Sequence, residues 1–113
     1  MLNDSLQLDR AFQALSDSIR RGMLARLSRG PASVSELAAP LPISLPAVLQ
    51  HLQALEASGL IATRKSGRVR TCRIEPAAWS AAESWIAAQR AAWEGCLDRF
   101  EAHLETIQKE NPE

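Results

Sequence analysis

Residues Ser33 to Leu60 read SVSELAAPLPISLPAVLQHLQALEASGL, and this stretch decides the fold. Ser33 with Glu36 three residues later is a capping box, which predicts a short helix with Val34, Leu37 and Ala38 inside. Pro40 and Pro42 bracket a turn. Ser44 then caps a second helix, with Pro46 in its first turn, where a missing amide hydrogen costs little. Leu45, Val48, Leu52 and Leu55 form its apolar line, spanning about 80° of arc at 100° per residue. Pro46, Ala47, Gln50, Gln53 and Ala54 fall on other faces, with Gln50 almost opposite the apolar centre. Gly59 is the expected left-handed C-cap. A short helix that braces a longer one across a tight turn is a helix-turn-helix pattern.

Two strand-like runs follow, Leu60–Lys65 and Arg68–Ile74, with a tight turn at Ser66-Gly67. In the second run Val69, Thr71 and Arg73 alternate with Arg70, Cys72 and Ile74, so Cys72 shares a face with Ile74 and is expected to be buried. The densest basic stretch of the chain lies here: Arg64, Lys65, Arg68, Arg70 and Arg73. It reads either as a solubilising surface or as a phosphate-contacting element. Before the deciding stretch, Leu8, Ala11, Phe12 and Leu15 have helical spacing. Asp17 or Ser18 can cap a further helix carrying Ile19, Met23, Leu24 and Leu27, which Gly30-Pro31 stops.

From Pro76 onward, Trp79, Ala82, Ile86, Gln89, Trp93, Cys96 or Leu97, Phe100, Leu104 and Ile107 recur every three or four residues. The composition favours helix. Some 30 residues at 1.5 Å each give roughly 45 Å if unbroken, long for so small a core, and Gly95 is a candidate for a bend or a close helix crossing. All three tryptophans, Trp79, Trp85 and Trp93, lie here. Ile86, Trp93, Phe100 and Ile107 make a seven-residue ladder with Trp85 off it. Two apolar directions suggest a helix that packs inward and also against a second copy.

The whole chain has 113 residues, 46% of them hydrophobic, with 13 Lys+Arg balancing 13 Asp+Glu. Zero net charge hides a split. Residues 1–73 carry ten basic and five acidic groups, and residues 74–113 three and eight. A polyanion reads the local field of one face, not the sum, so the neutral total does not argue against one. Two cysteines exclude a disulfide-dense scaffold. No apolar run reaches the length of a membrane span, and no signal peptide is visible, so no membrane partner and a reducing cytoplasmic location are expected. Neither GxGxxG nor GxxxxGK[ST] occurs, and the two His are far apart with no matching Cys or Ser constellation. An enzyme is not expected.

Taken in order, these segments resemble the ArsR/SmtB family of bacterial winged helix-turn-helix transcriptional regulators. The resemblance rests on Arg10-Ala11-Phe12-Gln13-Ala14-Leu15-Ser16-Asp17-Ser18-Ile19-Arg20-Arg21, Val34-Ser35-Glu36-Leu37-Ala38, and Ile43-Ser44-Leu45-Pro46-Ala47-Val48-Leu49-Gln50-His51-Leu52. It continues through Leu55-Glu56-Ala57-Ser58-Gly59-Leu60-Ile61, Gly67-Arg68-Val69-Arg70 and the final helix. The expected fold is mainly α with a two-stranded β wing and a long C-terminal dimerisation helix. One winged-helix domain would span 1–113, with 5–75 as DNA-binding core and wing and 76–109 as the dimerisation helix. The resemblance implies a homodimer that binds double-stranded operator DNA and represses transcription.

The expected recognition-helix residues are Ser44, Pro46, Ala47, Gln50, His51, Gln53 and Ala54, and the wing residues are Arg64, Lys65, Arg68 and Arg70. Gln50 is the candidate for pairing with an adenine edge, against the alternative of a solvent-facing or phosphate-bound amide. His51, common in the family motif, reads as structural or phosphate-contacting. Leu49 departs from the small polar residue usual there; at the edge of the apolar line it either extends the core contact or touches a thymine methyl. The expected dimer interface takes Phe12, Trp79, Ile86, Trp93, Leu97, Phe100 and Leu104.

Many relatives sense metals. One class of site resembles a Cys-x-Cys pair where this chain has Ser35-Glu36-Leu37-Ala38. Another resembles a two-His pattern in the last helix, where this chain has one, His103, beside Glu94, Asp98, Glu101 and Glu105. No metal and no cofactor are therefore expected, and no effector can be named. Cys96 is the candidate for a redox role, against plain packing as a small hydrophobe. The alternatives to a metal-free repressor are a redox- or metal-responsive one, or a winged-helix interaction module without DNA contact.

Overall fold

A computed structural model describes residues 2–110, with side chains from Ser5 onward. The order is α1 (Leu2–Leu15), α2 (Ser18–Leu27), β1 (Ala32–Ser33), α3 (Val34–Ala38), α4 (Leu45–Ala57), β2 (Ile61–Ser66), β3 (Val69–Ile74) and α5 (Pro76–Glu110). The chain divides after Ala82 into two units.

Each helix of the first unit from α2 on starts where the sequence supplies an acceptor for orphan amide hydrogens. The Asp17 carboxylate accepts from the Ile19 N–H at 3.1 Å. At α3 both halves of the capping box form: the Glu36 N–H donates to Ser33 Oγ at 3.1 Å, and the Ser33 N–H to Glu36 Oε1 at 3.4 Å. The Ala47 N–H donates to Ser44 Oγ at 3.3 Å, ahead of a first turn that carries Pro46.

α4 ends in a Schellman motif. Leu60 N–H donates to Leu55 O at 3.2 Å and Gly59 N–H to Glu56 O at 3.0 Å. This geometry needs Gly59 at φ +79°, which a side chain rarely adopts. A Cβ there would also lie 2.6 Å from Gln7 Nε2 and 3.4 Å from the Ala78 Cβ, because α1 and the start of α5 close over the cap. Gln7 Nε2 donates to the Ser58 carbonyl at 2.7 Å. The Trp79 Nε1–H donates to the Leu60 carbonyl at 3.2 Å.

The core gathers Ala11, Ala14, Met23, Leu24, Leu27, Leu37, Val48, Leu52, Leu55, Leu60, Ile61 and Cys72, with Leu15, Ile19, Ile74 and Trp79 packed around it. Leu55 and Val48 are fully buried, and truncating such a leucine to alanine typically costs about 2–5 kcal/mol. Two apolar residues of α4 depart from the sequence reading. Leu45 is 54% exposed: it shares the arc of Val48, Leu52 and Leu55, but as the first residue of α4 it lies beyond the core cluster. Leu49 is 46% exposed, so of its two readings the core contact is not made.

The wing is an antiparallel hairpin turning at Gly67, where φ is +62°. It belongs to a three-stranded sheet of order β1-β3-β2, with Ala32 opposite Cys72 and Ser33 opposite Thr71. β1 has two residues, too few for alternation to announce it. α5 is helical without interruption through Gly95. Its first turns, through Ala78, Trp79 and Ala82, pack on the core; from Glu83 on, the helix forms the second unit. No helix among the described residues is long and apolar enough to cross a membrane.

Candidate nucleic-acid interface

Val48, Leu52 and Leu55 hold α4 against the core and thereby fix which of its residues face water. Pro46, Leu49, Gln50 and Gln53 are exposed, while Ala47 and Ala54 are half-buried. Ser44 is exposed, and its hydroxyl oxygen already accepts the cap hydrogen bond. His51 turns inward: its Nδ1 lies 3.9 Å from Oδ2 of Asp17, the residue that caps α2. The imidazole thus lies beside the start of α2, at a separation too long for a hydrogen bond.

Alternation along the hairpin sorts the wing cations onto two faces. Register pairs Lys65 with Arg70, Thr63 with Cys72 and Ile61 with Ile74, so Lys65 and Arg70 share the face that continues into the core. Arg64, opposite Thr71, lies on the other face with Arg73, and Arg68 adjoins the turn. The side chains of Arg64, Lys65 and Arg68 make no hydrogen bond or ion pair with protein among the described residues, so their charges are open to an external anion.

Arg70 differs. Its Nη1 donates to Thr63 Oγ1 at 3.5 Å, and the Thr63 hydroxyl donates to Glu56 Oε1 of α4 at 3.2 Å. This chain of contacts aims Arg70 along the groove between wing and α4, which Leu49, Leu52, Gln53 and Glu56 also line. The sequence alone assigns Glu56 and Thr63 no role at this site. Helical and strand periodicity report burial and say nothing of polar bonds between two elements.

Burial pushes the Cys72 thiol above its ordinary range; Arg70 pulls the other way and Glu56 adds to the rise. A neutral, fully buried thiol is a poor nucleophile. Cys96 on α5 is exposed. The residues expected at a dimer interface separate in the structure. Trp79 is committed to its own core and Phe12 is half-buried, whereas Ile86, Trp93, Leu97, Phe100 and Leu104 are 43–58% exposed. At 100° per residue these five and Ile107 fall within about 80° of one side of α5.

α3 has no thiol, and among the described residues no three His, Cys, Asp or Glu side chains are grouped as ligands.

Comparison with known proteins bears on this geometry. The helix-turn-helix domain family matches residues 15–64. Over 68 residues the chain is 47% identical to the HTH-type transcriptional regulator Rv2034 of Mycobacterium tuberculosis, a match covering 60% of this chain and 64% of that regulator's length. The crystal structure of an ArsR family transcriptional regulator, RHA00566, is 53% identical, with a TM-score of 0.77, and the match covers 80% of this chain and 93% of that one. The chain belongs to the ArsR family. Its family is one of transcriptional regulators and not of enzymes. A third ArsR-family comparison is the solution structure of the homodimeric winged helix-turn-helix DNA-binding domain Mb0332 from Mycobacterium bovis, described there as a possible regulator. It is 28% identical, with a TM-score of 0.59, over 76% of this chain and 82% of that one.

Proposed function

We propose that this ArsR-family chain is a sequence-specific repressor: two copies bind double-stranded operator DNA, without a bound transition metal, and block transcription by occupying a promoter. The single observation that carries this is the solvent-facing amide side of α4, with Gln50 and Gln53, beside a wing whose Arg64, Lys65 and Arg68 have no protein partner among the described residues. A B-form major groove admits a helix, and a glutamine amide can pair with the N6/N7 edge of adenine. Gln50 is the base-reading residue, with Gln53 and Pro46 beside it. Ser44, Ala47 and Ala54 bring the backbone close, and His51, beside Asp17, takes a structural or phosphate-contacting role. Arg64, Lys65, Arg68 and Arg70 take flanking phosphates.

A lone module of this size makes few base contacts, so the reading requires a second copy. The exposed side of α5 from Ile86 to Ile107 supports it, as does the homodimeric state of the M. bovis domain. The protein would act in the cytoplasm, where bacterial operators are. A thiol switch finds less support, since the only other cysteine is the fully buried Cys72.

Selection of bound duplexes from a random-sequence pool tests the reading. The expected product is a two-fold symmetric site with half-sites about 34 Å apart, one helical turn. Recovery of no common sequence, or of a single asymmetric half-site, contradicts it.

A further inference from the structure

A cavity of about 870 Å³ opens between α2, the loop after it, the end of β3 and the first turns of α5. None of the DNA-contact residues proposed above lines it. Its floor is apolar: Leu24 and Leu27 are buried core residues, and Ile74 and Trp79 pack against them. Its charged lining is of one sign, three arginines and no carboxylate. Arg21 is engaged, its Nη1 donating to the Leu15 carbonyl at 2.7 Å. The Arg29 and Arg73 side chains make no hydrogen bond or ion pair with protein among the described residues. Arg73 lies on the sheet face opposite Lys65 and Arg70 and is not among the phosphate contacts proposed for the wing.

Apolar floor and uncompensated guanidinium groups ask for a guest with two ends. An apolar body displaces water from Leu24, Leu27 and Trp79, and an anionic head accepts from the arginine fork, which matches a carboxylate in bidentate geometry. The volume is in the range of small-molecule sites, roughly 300–1,000 Å³. We propose that this cavity binds an amphipathic organic carboxylate, with its head on Arg29 and Arg73. The site touches both the root of β3 and Trp79 at the start of α5, so a guest there bears on the strand that carries Arg70. The binding itself is independent of the DNA-binding reading.

Decanoate, kept below its micellar concentration, is the probe, titrated calorimetrically into the full chain with no DNA present. One molecule should bind per chain. Arg29→Ala with Arg73→Ala should weaken it about tenfold or more, the scale of hydrogen bonds to charged groups. Decanol, with the same tail and no charge, should bind correspondingly worse. Ala25→Trp, at an exposed position of the cavity wall, should block binding while leaving the thermal melt unchanged. Absence of decanoate binding, equal binding of decanol, or an unaltered affinity in the double variant each overturns the proposal. So does a result in which decanoate is inert and the arginine variant dissociates the dimer in sedimentation, which would assign this face to a second copy. A protein that binds decanoate and ignores duplex DNA would leave this site standing and defeat the repressor reading.

Discussion

The α4–wing surface and the outer stripe of α5 are both exposed in the single chain, and their chemistry is opposite. The first presents amides and cations, which water solvates well, so it is stable when bare and gains a partner only when a polyanion displaces counterions. The second presents Ile86, Trp93, Leu97, Phe100, Leu104 and Ile107 at 40–58% exposure. Each would gain about 1 kcal/mol on completing its burial, which makes the bare stripe costly and points to a permanent partner. On the proposed reading, the first surface makes a reversible contact and the second a lasting one.

The largest expected effect comes from breaking the apolar surface. Phe100→Glu places an unpaired charge twice in a symmetric interface, at about 3 kcal/mol or more, so self-association should fall at least about 100-fold. An intact dimer in sedimentation equilibrium would show that this stripe is not the interface. Next is the wing. Arg68→Ala with Arg70→Ala should weaken binding to every duplex alike and reduce the salt slope by about 0.9 for each phosphate left without its cation. An unchanged slope would mean that neither residue meets the backbone. The smallest effect is the most local: Gln50→Ala should cost about 1–3 kcal/mol at one base pair of the selected site and little elsewhere. Equal weakening on all sequences would reduce Gln50 to a phosphate contact.

Most of this fold is legible in the sequence because its signals are local. Ser33 with Glu36, Ser44 with Pro46, and Gly59 and Gly67 each announce their own element, and each forms as expected. What was not legible depends on contacts between elements. β1 exists only because Ala32 and Ser33 lie beside Cys72 and Thr71. Leu49 has the composition of a core residue, and only the placement of α4 leaves it in the groove facing Arg70. Trp79 and Trp93 have the same spacing signature, yet one bonds the Leu60 carbonyl inside its own core and the other is 52% exposed. Periodicity finds the apolar side of a helix without saying which stretch of that side the chain itself covers. The Glu56–Thr63–Arg70 contacts and the cavity floored by Leu24 and Trp79 were hidden for the same reason.

Everything proposed for α4 and the wing requires that this surface bind duplex DNA. Equilibrium binding of the full chain to a random-sequence duplex, followed from low to high salt, tests it most directly. The expected result is measurable binding at low salt that weakens linearly on a log–log plot, with a slope of several units set by the wing cations. No binding at low salt, or an affinity indifferent to salt, would contradict it.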